Sequence, residues 1–192
     1  TEREEERNPR PPFTTSTMQQ VASTRLAFAP SRTMRAAQKL YEAGHITYMR
    51  TDSVNLSKDA VATMCAVIEK QYGKEYVEAR TYKTTSKNAQ EAHEAVRPTN
   101  VSKLKAGHTA DETALYELIR TRALASQMKS ARVLRTKIEV QADVAIPVFS
   151  ANGSRVVFDG WLALDTRARG EDVELPKVEK GEEVKLRSLT SL

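Results

Sequence analysis

The spacing of apolar residues changes once along the chain, near Lys137. Before this point apolar residues recur every three or four positions, the spacing of helices that bury one face. From Lys137 to Val148 they alternate with polar residues, as in an antiparallel strand with one buried face. The Asn-Gly pair at 152–153 favours a tight turn, so residues 156–164 are predicted to return as the partner strand. This order predicts an α+β chain, with helices first and antiparallel strands after them.

Four helices are predicted in the first part, at about 16–27, 32–43, 57–73 and 109–128. Each follows a hydroxyl side chain that can accept a hydrogen bond from a free backbone N–H, namely Ser16 (with Gln19), Ser31, Ser57 and Thr109 (with Glu112). The first two helices are separated by a short break at Pro30, as in a helix-turn-helix. Residues 74–108 show no period and are predicted to be mostly loop.

Charge is distributed unevenly around a net value of +5. Residues 13–135 hold 19 Lys and Arg against 11 Asp and Glu, whereas the segments on either side are slightly acidic. Such an excess indicates either a surface that binds a polyanion or a solvated surface of mixed charge. The single cysteine, Cys65, excludes a disulfide framework and a cysteine-based zinc site, and fits a reducing cytoplasm. No long apolar run or leader segment is present in the sequence given, so we expect no membrane partner.

Three segments follow from these patterns. Residues 1–12 are charged and then proline-rich, which is typical of a linker or a strand end. Residues 13–135 form a helical unit, and residues 136–192 are mainly strands. An isolated hairpin is marginal in water, so this end is expected to pair with strands contributed from elsewhere, and residues 183–189 are a candidate short strand. Together with the initial threonine, this suggests that the chain lies inside a longer protein.

One tyrosine stands in a cluster of polar residues, YEAGHITYMRTDS at 41–53. Most tyrosines are packing residues with a wet hydroxyl, and Tyr48 alone would fit that interpretation. The alternative is attack of its phenolic oxygen on a phosphodiester. A phenol with a pKa of about 10 is a weak nucleophile, and a cation two residues away could favour the phenolate and neutralise charge developing on phosphate oxygens. Arg50 has the planar shape suited to this role.

A second cluster, NAQEAHEAVRPTN at 88–100, holds a histidine and an arginine four residues apart. On a helix His93 and Arg97 would share one face, where both could contact phosphate. The alternative for His93 is an ordinary surface or packing histidine. Glu91 and Glu94 beside it do not match a standard zinc spacing, so we predict no metal site in this chain.

Three segments in this order, PPFTTSTMQQVAS at 11–23, KLYEAGHITYMRTDS at 39–53 and QEAHEAVRPT at 90–99, closely resemble the type IA DNA topoisomerases of the bacterial topoisomerase I kind. The resemblance covers roughly residues 10–165. It implies that Tyr48 cleaves DNA and forms a 5′-phosphotyrosyl link, with Arg50 supporting cleavage. It also implies DNA contacts from His93 and Arg97, with Thr47 and Asp52 in the same site and Gln38 and Glu42 as weaker candidates on the preceding helix.

The resemblance implies an architecture as well. Residues 13–135 would be the winged-helix-like tyrosine domain, and residues 1–12 and 136–192 would belong to a β-rich arch. Members of the family relax negatively supercoiled DNA by cleaving one strand, passing the other and resealing, without ATP. They use Mg²⁺ held by a TOPRIM domain, and this sequence contains no TOPRIM motif, so we expect the chain alone to be inactive and to lack a cofactor.

Such an enzyme would act in the cytoplasm, associated with the nucleoid, on a single-stranded segment of DNA. Its partners would be the TOPRIM and helical domains of the same parent chain. Two alternatives stay open at this point, which are a related topoisomerase of the topoisomerase III or reverse-gyrase type, and a winged-helix module that binds DNA without cleaving it.

Overall fold

A computed structural model describes residues 1–82, 94–141, 147–185 and 188. It confirms the α+β class, with four α-helices and a three-stranded antiparallel sheet in the described ranges. The elements in chain order are β1 (Glu2–Arg7), α1 (Thr15–Leu26), α2 (Pro30–Glu42), α3 (Lys58–Tyr72), α4 (Ala110–Ala125), β2 (Ala131–Val140) and β3 (Phe149–Phe158). No helix among these elements has the length and apolar character needed to cross a membrane.

The starts of the first two helices differ from the predicted ones. The N-cap of α1 is Thr14 rather than Ser16, because Thr14 and Thr17 each bond the other's backbone N–H. Helix α2 begins at Pro30, which was predicted to stand outside it, and no side chain caps it. A proline fits the first turn of a helix because its missing N–H has no partner to lose there.

The later helix starts agree with the prediction. Ser57 caps α3 by accepting from the backbone N–H of Ala60, and Thr109 caps α4 by accepting from that of Glu112. The Glu112 carboxylate accepts from the backbone N–H of His108, which reduces the pKa of this carboxyl although burial opposes the change. Helix α4 ends at Ala125, three residues before the predicted end.

Two apolar clusters form the core. The first joins α1, α2 and α4 to the polar tyrosine segment, and its fully buried members include Phe13, Met18, Leu40, Ile46, Met49, Leu115 and Ile119. The second lies between α3, the end of α4 and the start of β2, and it includes Met64, Ile68, Leu124, Met128, Trp161 and Leu162. The first cluster therefore lies beneath the tyrosine segment at 41–53, and the second connects the helices to the sheet.

The sheet has the order β1-β2-β3, so the chain's own first residues supply its third strand. The expectation that such strands come from elsewhere was incomplete on this point. Strand β2 begins at Ala131 rather than Lys137, and β3 ends at Phe158, after which residues 160–163 form a 3₁₀ turn around buried Trp161. Residues 183–185 form no strand, and most of the remaining predicted strand lies outside the described residues.

The predicted hairpin turn at 152–153 is wrong. Asn152 and Gly153 lie inside β3, opposite Lys137 and Thr136. A Cβ at Gly153 would come within 2.6 Å of the carbonyl oxygen of Val173, which belongs to a segment paired with Ser154. The two backbone segments approach so closely that no side chain fits at position 153, which explains the glycine there. A tight turn also favours glycine, so the residue type alone does not distinguish the two cases.

Candidate functional site

An extended segment after α2 carries the candidate nucleophile. Gly44 follows the helix with a φ of +72°, and its N–H donates to the carbonyl oxygen of Tyr41. After buried Ile46 and half-buried Thr47, side chains alternate between solvent and the interior from Tyr48 onward. The exposed ones are Tyr48, Arg50 and Asp52, and the buried ones are Met49, Thr51 and Ser53. The alternation puts the tyrosine, the arginine and the aspartate on one outward face, as expected for extended backbone.

The ring of Tyr48 is 47% exposed and touches only one other aromatic ring among the described residues. That ring belongs to Tyr41 in the last turn of α2, with centroids 5.2 Å apart and planes at 62°. This edge-to-face arrangement is favourable and restricts the directions that the Tyr48 ring can take. Its hydroxyl makes no hydrogen bond to any described group.

Residues 95–99 run beside the tyrosine segment in the opposite direction. Ile46 forms an isolated bridge with Pro98, and the Thr47 N–H donates to the carbonyl oxygen of Arg97 at 2.9 Å. The Thr47 hydroxyl donates to the carbonyl oxygen of Ala95 at 2.7 Å and accepts from the Arg97 N–H at 3.0 Å. Thr47 thus holds the backbone immediately before Tyr48, and its hydroxyl is engaged within the protein.

The side chain of Arg97 is only 16% exposed and is engaged elsewhere. One of its terminal nitrogens lies 2.7 Å from a Glu94 carboxylate oxygen, and the other donates to the carbonyl oxygen of Pro98 at 3.0 Å. Burial pushes the pKa of Glu94 upward, but bonds from Arg97 and from the Ser57 N–H outweigh burial and leave this pKa below its ordinary value. Nε of Arg97 is buried with no partner among the described residues.

Arg50 and Asp52 are exposed and make no side-chain hydrogen bond or ion pair with the part of the chain that the structure describes. Gln38 and Glu42, one turn apart on α2, bond to each other at 2.9 Å. This bond, together with nearby Lys39, lowers the pKa of Glu42. Helical spacing puts Gln38 on the same side of α2 as Tyr41, whose ring contacts Tyr48, and Glu42 reaches this side through its bond to Gln38.

His93 lies outside the described residues, as does Glu91. Within the described ranges no group of three His, Cys, Asp or Glu side chains is arranged to hold a metal ion. Asp52 stands alone, and Glu42 is bonded to neutral and cationic neighbours. The carboxylates around Tyr48 therefore do not fit a magnesium site by themselves.

One residue that the structure brings to this segment gives no signal in the local sequence pattern. Thr15, the first residue of α1, has its hydroxyl 2.7 Å from the carbonyl oxygen of Met49 and 2.9 Å from the N–H of Thr51. The Thr15 N–H donates to the carbonyl oxygen of Thr51 at 2.9 Å. Within the run of hydroxyl residues at 14–17 the local pattern predicts a role only for Ser16, as a helix cap. Its contact with residues more than thirty positions away could not follow from local pattern.

The fold agrees with the comparisons with known proteins. A family model described as DNA topoisomerase matches residues 1–191. The chain belongs to the bacterial DNA topoisomerase I family.

Named relatives show how much of such a protein this chain represents. DNA topoisomerase 1 of Zymomonas mobilis is 51% identical over 160 residues, covering 82% of this chain and 13% of that protein. DNA topoisomerase 1 of Vibrio cholerae is 45% identical over 186 residues, covering 94% and 21%. Full-length topoisomerase I of Thermotoga maritima superimposes with a TM-score of 0.81 at 34% identity, covering 95% of this chain and 31% of that one. The chain thus spans a minor part of each relative's length.

Proposed function

We propose that this chain is part of a type IA DNA topoisomerase that relaxes negatively supercoiled DNA, with Tyr48 as the nucleophile. The observation that supports this most directly is the outward pair of Tyr48 and Arg50 on a segment whose intervening residue, Met49, is fully buried. A rigid backbone beneath two exposed and unengaged side chains suits a group that must meet a large substrate in a defined direction. Family membership supports DNA as that substrate.

The proposed step exchanges one phosphoester for another. The phenolic oxygen of Tyr48 attacks the phosphorus, its proton leaves to solvent or to a basic group, and a tyrosine–phosphorus bond forms. The bond from phosphorus to the 3′ oxygen breaks, and this oxygen takes up a proton to become a free hydroxyl. The phosphotyrosyl link conserves the energy of the broken linkage, so resealing by the reverse step needs no ATP. Arg50 stabilises the charge that develops on the phosphate oxygens.

Supporting roles follow for the remaining candidates. Thr47 positions the backbone before Tyr48, while Asp52 lies on the outward face beyond Arg50. Arg97 and His93 are proposed to contact DNA phosphates near the break. For Arg97 this contact would use the terminal N–H groups that its bonds to Glu94 and Pro98 leave over, because its Nε is buried. Gln38 and Glu42 border the site and are proposed to face the DNA from α2.

The rest of the proposal concerns parts of the parent protein that this chain does not include. We propose, as the resemblance to the type IA topoisomerases implies, that Mg²⁺ binds a TOPRIM domain there. The helical unit would be the winged-helix-like tyrosine domain and the sheet a part of the arch. The parent enzyme would work on the nucleoid in the cytoplasm. The 192-residue chain alone is expected neither to relax supercoiled DNA nor to form a covalent complex at an appreciable rate.

The proposal is tested in the full-length parent enzyme with magnesium and an end-labelled single-stranded oligonucleotide. A denaturing gel measures the label retained on protein. Tyr48→Phe removes one oxygen and should abolish the labelled band while DNA binding persists. Tyr41→Phe is the matched control, because it removes the same atom from the neighbouring ring and should keep the band. Label retained on the Tyr48→Phe protein would show that another residue is the nucleophile. Binding without any labelled band in the unaltered enzyme would favour a non-catalytic DNA-binding module instead.

A further inference from the structure

The hydroxyl of Thr15 bridges the backbone on both sides of Arg50. It lies 2.7 Å from the Met49 carbonyl oxygen and 3.1 Å from that of Thr51, and it accepts from the Thr51 N–H at 2.9 Å. The Thr15 N–H adds a fourth contact, to the carbonyl oxygen of Thr51 at 2.9 Å. One side chain at the start of a helix thereby satisfies backbone groups of two residues in an extended segment.

This bridge holds the backbone beneath two exposed side chains. Arg50 makes no side-chain hydrogen bond or ion pair within the described ranges, so its direction depends on how the backbone beneath it is held. The Tyr48 ring packs edge-on against one aromatic ring in the part of the chain that the structure describes, that of Tyr41. Thr47 holds the backbone on the N-terminal side of Tyr48, and Thr15 holds it on the C-terminal side.

Thr15 is itself fixed by the helix that it begins. Thr14 and Thr17 form the capping box of α1, and Phe13 is fully buried, with its carbonyl oxygen accepting from the Val96 N–H at 2.8 Å. The guanidinium of Arg122 lies 4.3 Å from the centroid of the Phe13 ring. The hydroxyl of Thr15 therefore projects from a rigid support, as a group that positions another group requires.

We propose that Thr15 is a positioning residue for strand cleavage, whose hydroxyl holds Tyr48 and Arg50 in the direction that in-line attack on a phosphodiester needs. This inference rests on the proposed function, in which Tyr48 is the nucleophile. Thr15 does not touch DNA in this account. Its loss changes the rate of cleavage and leaves the affinity for DNA nearly unchanged, because DNA-binding groups elsewhere are unaffected.

Three variants of the full-length enzyme test the inference. Thr15→Val keeps the shape and removes the hydroxyl, Thr15→Ser keeps the hydroxyl, and Thr24→Val removes a hydroxyl that bonds only to carbonyl groups of its own helix. The measurements are the first-order rate of adduct formation at saturating oligonucleotide and the dissociation constant for the same oligonucleotide. Thr15→Val should slow adduct formation about 10- to 100-fold, the scale expected for a misplaced reacting group, with the dissociation constant within about twofold. Thr15→Ser and Thr24→Val should stay within about threefold of the unaltered rate.

The possible results distinguish the positioning role of Thr15 from the assignment of Tyr48 as the nucleophile. If Thr15→Val forms adduct at the unaltered rate while Tyr48→Phe forms none, the positioning role is wrong and the nucleophile assignment stands. If Tyr48→Phe still forms adduct, the proposed function fails first. If Thr15→Val melts near the assay temperature, Thr15→Ala and Thr15→Ser are compared at a lower temperature. Slow adduct formation by the Thr15→Ala enzyme, together with an unaltered rate for the Thr15→Ser enzyme, then supports the inference. Equal rates of adduct formation in the two variants overturn it.

Discussion

The helical region around Tyr48 and the three-stranded sheet are built differently. In the helical region the tyrosine segment has fully buried residues on its inner side, and hydroxyl groups of Thr15 and Thr47 satisfy its backbone. In the sheet, the residues of β1, β2 and β3 are exposed or half-buried, with the exception of Ala131, Val133 and Gly153. The sheet shares the second apolar cluster with the helices at one end only.

This difference shows in which region the backbone is held in a fixed position. A side chain that must reach a phosphorus atom in line needs a backbone held in place, and buried packing combined with saturated hydrogen bonds supplies that. The sheet is held mainly by its ladder of backbone hydrogen bonds and by cross-strand pairs such as Arg132 with Glu4. Exposed pairs of this kind contribute little stability each. Changes in the two regions should therefore differ in size, and substitutions with matched controls test that expectation.

The largest effect is expected for truncation beneath the tyrosine. Met49→Ala removes a fully buried side chain from the first cluster and should lower the free energy of unfolding by about 2–5 kcal/mol. Ile138→Ala, in the half-buried part of β2, is the control and should cost about 1 kcal/mol, because solvent already reaches that side chain. Denaturant unfolding of the chain measures both. Equal losses would show that the two regions are packed alike.

A smaller effect is expected at the contact between the two regions. Asp165, in the segment after the sheet, is 8% exposed and lies 2.7 Å from Arg25 of α1. Asp165→Ala leaves that arginine without its partner, close to Arg122, whose pKa burial lowers to about 10. We expect a loss of about 1–3 kcal/mol, below the range for a fully buried pair because Arg25 is 24% exposed.

The matched control for that pair is Asp172→Ala. Asp172 lies 3.4 Å from Arg169 and also accepts from the backbone N–H of Val156 at 3.1 Å, both at exposed positions, and its removal should cost about 1 kcal/mol. Thermal unfolding of both variants at one pH and salt concentration gives the comparison. An Asp165 variant no less stable than the Asp172 variant would mean that the buried pair does not hold the two regions together.

The smallest effect concerns the pH dependence of stability at Glu94. Its pKa in the folded chain is below the ordinary value, so the ionised carboxylate stabilises the fold above the unfolded pKa of about 4.3. That contribution is lost as pH falls through the folded pKa. Glu94→Gln lacks the titrating proton, so the stability difference between the unaltered chain and the variant should be greatest near neutral pH and shrink below about pH 4. A stability difference that stays constant between pH 7 and pH 3 would show that the contact between Arg97 and Glu94 does not depend on the charge of the carboxylate.

Local pattern predicted the helices well and the tertiary contacts poorly. Ser57 and Thr109 were identified as caps because capping depends on groups within one turn. The Asn-Gly pair at 152–153 misled the strand prediction, because close approach of the segment around Val173 selects the same glycine as a turn would. The pattern of residues 1–12 predicts only a linker or a strand end. Their pairing as β1 depends on β2, which lies more than a hundred residues away.

The residues of the candidate site also divide into those that local pattern predicts and those that depend on tertiary contacts. Tyr48 and Arg50 could be selected from the order of residue types and from resemblance, and their shared outward face follows from extended backbone. The engagement of Arg97 with Glu94 could have been anticipated from their spacing, whereas its contact with the carbonyl oxygen of Pro98 depends on the local backbone. Thr15 could not be found, because its role depends on where α1 begins relative to a segment distant in sequence.

The most direct test of the account identifies the atom that becomes bonded to DNA. The covalent complex of the full-length enzyme is trapped with denaturant, treated with nuclease and digested with trypsin. Cleavage after Lys39 and Arg50 releases a peptide, residues 40–50, that contains both Tyr41 and Tyr48. Fragmentation in a mass spectrometer then assigns the nucleotide remnant to one ring. The account predicts the remnant on Tyr48 alone. A remnant on Tyr41, or on a residue outside this peptide, would contradict it.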